Sequence, residues 1–424
     1  MFTINDKFYS ESDFAQQKNS YQAFDQINHQ QAIAVCVEDS FVWLTLCFYL
    51  KSHHISAMPI HPGIPLEHAK QLAEKAGCGL LIYQDLTQLI PLENTSENLS
   101  IQANQHAGLI QMSSGTTGEA KCILRSWADI DIEINSYCQA LSIDSDIAPV
   151  IACPITHSYG LISGVMVALA RGQMPTIITS INPKFIIKIL RSYDKPLLYS
   201  SPVMLQGLAR LWPKSDKLFA AMTSGSTLSD AVFEQIKPRV NNFYQQYGCS
   251  EAGCISISHN PATADNLGTP LAHITLETSS NPTHPTEIIA RIETSVGIKS
   301  IHTQDAGFTD QNGHLHFVAR LDDTIIVSGL NVYPNELENI ILSHPKINDC
   351  VIFKIEDPLA GHRICLQYLA DSELTPAVLR LWCSQHLAPF QIPQFLQPVT
   401  QIARMANSKV NRKHLAIEFQ KASA

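Results

Sequence analysis

The chain has 424 residues, of which 45% are hydrophobic and 16% are charged. This composition excludes a disordered chain, a collagen and a coiled coil, and the length favours two or three domains with a large buried core. The formal net charge of −9 argues against a nucleic-acid binder and against a binder of anionic membranes, since both need a basic excess.

Eleven cysteines are scattered along the chain without a CxxC pair and without a Cys/His cluster at zinc spacing. This pattern predicts free thiols in a reducing cytoplasm. The polar, acidic start of the sequence predicts neither a signal peptide nor a transit peptide. Residues 147–170 lack Asp, Glu, Lys and Arg and are long enough to span a bilayer, but their prolines and glycines favour a strand, a loop and a buried helix.

Strands and helices alternate through the first half of the chain. Predicted strands lie near residues 31–37, 78–83, 108–114, 150–154, 176–179 and 196–201, and predicted helices near 40–50, 66–77, from about 129, 161–172 and 183–193. This alternation predicts a parallel sheet covered by helices, and hence an α/β fold.

The pattern changes twice in the second half. Short strands joined by turns begin near residue 270 and predict a small β-rich subdomain. After Asp322 come a strand, a helix over 334–342, two strands around a turn, and a helix that begins at Pro376 and is capped by Thr375. Residues 323–424 therefore look like a separate α+β domain.

A glycine-rich loop, SSGTTGEAK, follows a predicted strand at residues 113–121. Its backbone N–H groups, hydroxyls and ammonium are all donors, and they suit the oxygens of a polyphosphate. It is not a Walker A loop, because the neighbours of Lys121 are Ala120 and Cys122. The candidate phosphate-binding residues are Ser113, Ser114, Gly115, Thr116, Thr117, Gly118 and Lys121.

This string strongly resembles the phosphate-binding signature of the adenylate-forming (AMP-binding) superfamily, which includes acyl- and aryl-CoA ligases, peptide-synthetase adenylation domains and luciferases. Segments that resemble its other signatures follow in order: PITHSYG (154–160), LLYSSP (197–202), SGSTLS (224–229), YGCSE (247–251), TQD (303–305), residues 319–338 and MANSKVNR (405–412). The resemblance runs from about residue 31 to 413. The region before the phosphate loop and the stretch between Glu251 and Asp305 are short for the superfamily, so the resemblance implies a compact member.

The resemblance also implies an architecture. A large N-terminal adenylation core, residues 1–321, would consist of parallel-rich sheets packed with helices and the small β-rich subdomain. A mobile α+β lid, residues 323–424, would follow a hinge at about Asp322.

The resemblance implies a role for each matching residue. The catalytic residues would be Lys409, Lys121, Ser250, Glu251 and His157, with Glu251 helping to hold Mg²⁺. The nucleotide would be bound by the loop at 113–118 and by Gly225, Ser226, Thr227, Tyr247, Gly248, Asp305 and Arg320. The acid pocket would comprise His157, Tyr159, Gly160, Ser201, Gly225, Gly248 and Gly253.

Several positions depart from the superfamily pattern. Ser226, Gln304, Ala319 and Ser408 stand where glycine is usual. Glycine before the lysine would allow a backbone freedom that the serine before Lys409 lacks.

The implied reaction activates a carboxylic acid with Mg·ATP as an acyl-AMP, releases pyrophosphate and transfers the acyl group to a pantetheine thiol. Segment 154–160 lacks a carboxylate that could pair with an α-ammonium group, so an aryl or aliphatic acid is favoured over an amino acid. The acceptor is CoA or an acyl carrier protein, and the motifs do not separate the two because both present the same thiol.

Two other functions stay open. One is a luciferase-like oxidoreductase, for which the sequence offers nothing specific. The other is a catalytically inactive nucleotide-binding or regulatory member, which only the departures from the pattern support. The retained Lys121, Glu251, Asp305, Arg320 and Lys409 argue against the inactive member.

Overall fold

The structure, a computed structural model, describes residues 1–21, 32–92, 106–113, 121–213, 215–226, 228–327, 330–357, 361–370, 374–405 and 410–423. Its strands are β1 (Phe2–Ile4), β2 (Lys7–Tyr9), β3 (Ala32–Val37), β4 (Ala57–Pro59), β5 (Cys78–Gln84), β6 (Leu89–Pro91), β7 (Gly108–Ser113), β8 (Lys121–Ser126), β9 (Ala148–Ile151), β10 (Thr176–Ile177), β11 (Pro196–Ser200), β12 (Leu218–Thr223), β13 (Val240–Cys249), β14 (Gly253–His259), β15 (Asn266–Pro270), β16 (Ile274–Glu277), β17 (Thr286–Thr294), β18 (Gly297–Thr309), β19 (Leu315–Arg320), β20 (Ile325–Val327), β21 (Leu330–Val332), β22 (Ile347–Asp357), β23 (Gly361–Ala370) and β24 (Phe395–Pro398).

The helices are α1 (Glu11–Asn19), α2 (Ser40–Ser52), α3 (Leu66–Lys75), α4 (Trp127–Ala140), α5 (Val167–Ala170), α6 (Pro183–Leu190), α7 (Pro202–Leu211), α8 (Asp230–Ile236), α9 (Pro334–Leu342), α10 (Pro376–His386) and α11 (Arg412–Ser423). A π-helix, Tyr159–Met166, leads into α5. Seven of these helices have an N-cap side chain that accepts a hydrogen bond from a backbone N–H in the first turn: Ser10, Asp39, Ser126, Asn182, Ser201, Ser229 and the predicted Thr375.

Three sheets organise the described residues. One has the order β6-β5-β3-β4-β7-β8, and the largest has the order β16-β17-β18-β19-β15-β14-β13-β12-β11-β9-β10-β1-β2. Strands β9 to β13 of the largest sheet are paired in parallel, as the alternation of strands and helices predicts. The third sheet, β21-β20-β23-β22 with β24 beside β23, lies in the C-terminal part. The mixed α/β fold class is thereby confirmed.

The β-rich region continues the largest sheet rather than forming a separate one. Strands β14 and β15 pair through Ser256 with Pro270 and Ile257 with Thr269, and this pairing joins the antiparallel strands β15 to β19 to the parallel ones. The sequence analysis did not predict several of the strands, among them β1, β2, β4, β6 and β8. Strand β8 follows the glycine-rich loop, where we expected the chain to lead towards a helix. Strand β8 pairs with β7 as the second arm of a hairpin.

The largest hydrophobic core packs α2, α4 and the π-helix against one face of the central strands, and α6, α7 and α8 cover the other face. Residues 160–168 are buried throughout, which confirms the prediction of a strand, a loop and a buried helix for the uncharged segment. In the described parts of the chain, no helix is long and apolar enough to cross a membrane. The third sheet has its own core with α9 and α10.

Candidate active site

The predicted site residues gather where neighbouring parallel strands end. Ser201 follows β11, Gly225 and Ser226 follow β12, and Ser250 and Glu251 follow β13. The segment that begins at Pro154 follows β9, which pairs with β11. Because parallel strands end at one edge of a sheet, four predicted segments that are distant in sequence lie along that edge.

The segment after β9 is tied to two neighbouring elements. The Tyr159 hydroxyl donates to the carbonyl of Met222 on β12 at 2.8 Å, and burial raises the pKa of this phenol well above its usual value. The Ser158 hydroxyl donates to Gln111 on β7. Gly160 is required sterically, since a Cβ there would lie 2.4 Å from the Pro154 carbonyl oxygen. His157 is exposed at the start of this segment.

Two polar side chains, Tyr137 and Gln246, are hydrogen-bonded to each other in the core near Tyr159. The Tyr137 hydroxyl, from α4, donates to Gln246 Oε1 on β13 at 2.9 Å. Burial raises the pKa of Tyr137 well above its usual value, and the neighbouring phenol of Tyr199 raises it further. The ring centroids of Tyr159 and Tyr199 are 6.0 Å apart. A group of hydrogen-bonding side chains therefore lies in the core next to Tyr159, one of the residues predicted for the acid pocket.

Tyr247 and Asp305 meet at the predicted nucleotide-binding residues. The Tyr247 hydroxyl donates to Asp305 Oδ2 at 2.7 Å, and Arg320 Nη1 lies 3.2 Å from Asp305 Oδ1. Burial, followed by the charge of Asp305, raises the pKa of Tyr247 well above its usual value. Burial acts to lower the pKa of Arg320, but Asp305 and Asp322 reverse this and raise it. The Tyr247 hydroxyl and the Arg320 guanidinium therefore hold the Asp305 carboxylate at a defined position.

Gln304 occupies a left-handed backbone conformation with φ of 60°. This geometry explains why glycine is usual at this position, because a Cβ strains the backbone there. The chain compensates through Glu287, whose Oε1 accepts from the Gln304 backbone N–H at 3.1 Å and from its side-chain Nε2 at 2.9 Å.

Ser250 and Glu251 lie in the tight turn between β13 and β14. Gly248 allows the two strands to approach, since a Cβ there would lie 2.0 Å from the Gly253 carbonyl oxygen. Burial and then the Glu251 carboxylate raise the pKa of the adjacent Cys249 thiol to about 12, so this thiol is neutral. The described residues contain no group of three His, Cys, Asp or Glu that could hold a metal ion by itself. A single carboxylate suits Mg²⁺, whose other ligands are commonly phosphate oxygens and water.

A buried ion pair behind this turn was not expected from the sequence. Arg125 on β8 and Glu133 on α4 are 7% and 1% exposed, and Arg125 Nη2 donates to Glu133 Oε2. Glu133 Oε1 accepts from the backbone N–H of Cys254 at 2.8 Å. Nothing in the spacing of the two residues indicates this contact, which exists only because β8, α4 and β14 pack together.

Lys121 opposes Ser113 at the loop end of the β7–β8 hairpin and is exposed. The predicted phosphate-binding lysine is therefore the first residue of β8, directly after the loop that connects the two strands of the hairpin. The remaining predicted site residues lie outside the described residues: Ser114, Gly115, Thr116, Thr117, Gly118, Thr227 and Lys409.

The C-terminal helix α11 is anchored by an arginine three residues after Lys409. Arg412 Nη2 lies 2.7 Å from Glu338 Oε1, and its Nη1 lies 3.3 Å from Asp323 Oδ2. Its Nε donates to the carbonyl of Ile352 at 2.8 Å. Lys354 donates to the backbone carbonyls of Asp322 and Thr324. The predicted hinge is therefore tied to the C-terminal part by charged groups.

Known proteins match the chain over most of its length. The family model for AMP-binding enzymes matches residues 23–278, and the model for the C-terminal domain of these enzymes matches residues 336–409. The chain is 36% identical to a 3,4-dihydroxybenzoate–[aryl-carrier protein] ligase of Bacillus anthracis over 98% of both chains. It is 24% identical to a 2-succinylbenzoate–CoA ligase of Bacillus licheniformis over 73% of this chain and 70% of the relative.

A similar fold occurs among solved structures. O-succinylbenzoate coenzyme A synthetase from Bacillus subtilis, in complex with AMP, superposes with a TM-score of 0.81 at 17% identity and covers 98% of this chain and 94% of its own. The ATP-bound structure of MatB from Rhodopseudomonas palustris gives a TM-score of 0.82 at 16% identity, over 100% of this chain and 96% of that one.

Proposed function

Because the chain belongs to the AMP-binding enzyme family, we propose that its substrate is a hydroxylated aromatic acid and its acceptor the pantetheine thiol of an aryl carrier protein. The chain is an acid–thiol ligase that uses ATP to activate a carboxylic acid and transfers the acyl group to a thiol. The choice of acid and acceptor is supported by the 36% identity, over nearly the whole length, to a ligase named for 3,4-dihydroxybenzoate and an aryl carrier protein.

The buried polar side chains support a hydroxylated substrate. Tyr137 and Gln246 are hydrogen-bonded to each other beside Tyr159 and Tyr199. Aromatic side chains suit a flat ring, and an amide beside them can bind a ring hydroxyl. A site built to bind a hydroxyl strongly rejects the analogue that lacks it, because the buried polar groups of the protein then lose their partner.

In the proposed first half-reaction, a carboxylate oxygen of the acid attacks the α-phosphorus of ATP. The bond from the α-phosphorus to the bridging oxygen breaks, and pyrophosphate leaves with the electron pair. The barrier is the approach of an anion to a polyanion, which Lys121, Lys409 and the N–H groups of the loop at 113–118 would lower. The Ser250 hydroxyl would donate to an oxygen of the α-phosphate.

Other side chains would hold the nucleotide in place. Asp305, fixed by Tyr247 and Arg320, would accept hydrogen bonds from the ribose hydroxyls. Glu251 would hold Mg²⁺ together with phosphate oxygens, and the metal would supply positive charge against the developing negative charge of the leaving group.

In the proposed second half-reaction, the thiol sulfur attacks the carbonyl carbon of the acyl-AMP. A thioester forms, AMP leaves with the electron pair of the broken C–O bond, and the thiol proton passes to solvent. Residues 323–424 would rotate about Asp322 between the two steps, so that Lys409 leaves the phosphate and the thiol enters.

Substrate choice is tested by ATP–pyrophosphate exchange with benzoate, 3-hydroxybenzoate, 4-hydroxybenzoate, 3,4-dihydroxybenzoate, 2-succinylbenzoate, fatty acids and amino acids. We expect 3,4-dihydroxybenzoate to give the highest kcat/KM, with a loss of about tenfold or more for each hydroxyl removed. A preference for benzoate, a fatty acid or an amino acid would contradict the proposed acid. Absence of exchange with every acid, despite ATP binding, would favour the inactive member.

The pocket itself is tested with Gln246→Leu. We expect kcat/KM to fall about tenfold for the dihydroxylated acid and to change little for benzoate, because only the former loses a hydrogen bond. Equal losses of kcat/KM for both acids would show that Gln246 does not recognise a ring hydroxyl.

The acceptor is tested by supplying the best acid with either CoA or a holo aryl carrier protein. Both present the same thiol, so a surface that docks the carrier should favour the protein through a lower KM. We expect thioester formation on the carrier at micromolar concentrations and slow or absent formation of acyl-CoA. Efficient acyl-CoA formation without transfer to the carrier would make the chain a CoA ligase.

A further inference from the structure

We propose that the buried Arg125–Glu133 pair is a positioning device that holds the Ser250–Glu251 turn against the β7–β8 hairpin for the adenylation step. The inference rests on the proposed roles of Lys121, Ser250 and Glu251 in that step.

The pair bridges the two parts that must meet around the phosphates. Arg125 lies four residues after Lys121 on β8, so it moves with the hairpin that carries the phosphate loop. Glu133 lies on α4, with one carboxylate oxygen on Arg125 and the other on the N–H of Cys254. Cys254 is three residues after Glu251. A continuous set of contacts therefore runs from the hairpin to the turn.

The turn is shaped around this pair. Gly253 has φ of 76°, and a Cβ there would lie 2.4 Å from Arg125 Nη1 and 2.5 Å from Glu133 Oε2. The backbone of Gly253 therefore rests directly on the charged groups. On the other side, the carbonyl of Gly253 lies close to Gly248 across the β13–β14 hairpin. The turn is enclosed between the ion pair and the end of β13.

Stability alone does not account for such a pair. Removing two charges from water is costly, and replacing a buried ion pair by apolar side chains of similar volume is often neutral or stabilising. Arg125 Nη1 has no hydrogen-bond partner among the residues that the structure describes, so the pair is not even fully satisfied there. An apolar pair, however, could not accept from the N–H of Cys254, and the turn would lose its fixed position.

The chemical consequence concerns the rate of adenylation. A displacement of about 1 Å in groups that position reacting atoms can cost on the order of a hundredfold in rate. A displaced Glu251 would also bind Mg²⁺ less favourably. Transfer of the acyl group from acyl-AMP involves neither pyrophosphate nor its metal ion, so it depends less on this turn.

The test uses the full-length double variant Arg125→Met/Glu133→Met, with the acid that gives the highest exchange activity in the wild type. We expect a folded protein in which kcat for adenylate formation is about a hundredfold lower and the Mg²⁺ concentration for half-maximal rate is raised. Thioester formation from supplied acyl-AMP should stay within about threefold of wild type.

Arg171→Met is the matched control. This guanidinium is partly buried and donates to the carbonyls of Cys138, Leu141 and Ile143, near the other end of α4. We expect it to lower the melting temperature and to leave the Mg²⁺ dependence unchanged. A loss of adenylation in this control equal to that in the double variant would mean that general destabilisation, and not positioning, explains the effect.

A conservative variant keeps the inference testable if the double variant does not fold. Arg125→Lys retains the charge but loses the planar fork of the guanidinium, so we expect a smaller loss, about tenfold, in the same half-reaction. Kinetics equal to wild type in either folded variant would overturn the inference. An inactive wild type would instead count against the proposed function.

Discussion

Asp322 and Asp323 are adjacent in the chain, yet they pair with arginines from two different elements, β19 and α11. Asp322 Oδ1 lies 3.3 Å from Arg320 Nε, and Arg320 also contacts the proposed ribose-binding Asp305. Asp323 Oδ2 lies 3.3 Å from Arg412 Nη1 at the start of α11. At the proposed hinge, Asp322 therefore contacts an arginine of the proposed nucleotide site, whereas Asp323 contacts an arginine of the C-terminal part.

The first prediction separates the two half-reactions through Lys409. We expect Lys409→Ala to lower the rate of acyl-AMP formation by about a hundredfold or more, since a charge aimed at the phosphate is lost. Thioester formation from supplied acyl-AMP should be nearly unchanged. Measuring both half-reactions on one preparation checks this, and equal losses in the two would contradict the proposed division of labour.

The second prediction concerns rotation about Asp322. Proline fixes φ near −65°, so Asp322→Pro should block a change in backbone angles that Asp322→Ala still permits. We expect the proline variant to adenylate the acid within about tenfold of wild type but to lose transfer to the thiol, and the alanine variant to retain both. If the two variants behave alike in transfer, Asp322 is not the pivot.

The third prediction concerns the anchor of α11. Arg412→Met leaves the Glu338 side chain, which is 15% exposed, without its cation, and breaking a pair that is largely removed from water costs up to about 3–5 kcal/mol. Burial, which the charge of Arg412 opposes, already raises the pKa of Glu338. We expect a lower urea midpoint for the C-terminal part.

The control for this prediction lies on the same helix. Lys421 pairs with Glu418 at the surface, and Lys421→Met should leave the urea midpoint unchanged, since exposed pairs contribute little. Equal shifts of the urea midpoint in the two variants would show that the Arg412 pair contributes no more to stability than the exposed Lys421 pair.

The fourth prediction concerns the left-handed residue Gln304. Gln304→Ala keeps the backbone strain and loses the side-chain contact with Glu287, whereas Gln304→Gly removes the strain. We therefore expect the glycine variant to be more stable than the alanine variant by about 1 kcal/mol. Urea unfolding of the two proteins measures the difference, and an alanine variant of equal or greater stability would contradict this account.

The fifth prediction is a pH dependence from His273. Burial lowers the pKa of His273 below its ordinary 6.5; among nearby charges, Glu133 and Glu293 oppose this and Arg125 adds to it. The unfolded chain therefore binds this proton at higher pH than the folded chain. The contribution of neutral His273 to the free energy of unfolding is complete above about pH 6.5 and is lost as the pH falls through the folded pKa.

We expect His273→Gln to reduce the fall in unfolding free energy between about pH 7.5 and pH 5. Urea titrations across that range measure the slope. His284→Gln, at an exposed position, is the control and should retain the wild-type slope. An unchanged slope in the His273 variant would contradict the prediction.

The order of short motifs along the chain was sufficient for the family, the fold class and most residues proposed for ATP chemistry. Tyr247, Asp305 and Arg320 could be named from the sequence because their chemistry requires particular residue types within fixed local strings. The composition of residues 147–170 likewise predicted the buried helix after β9, since a stretch of apolar residues without charges must be covered.

Contacts between distant segments were decided only by the tertiary structure. Strand β8 is short, and its role as the second arm of a hairpin depends on β7. The Arg125–Glu133 pair, its contact with Cys254 and the pairing of Asp323 with Arg412 arise from packing. A local sequence carries no signal for such contacts, because the free energy that maintains them comes from partners that only folding brings within reach.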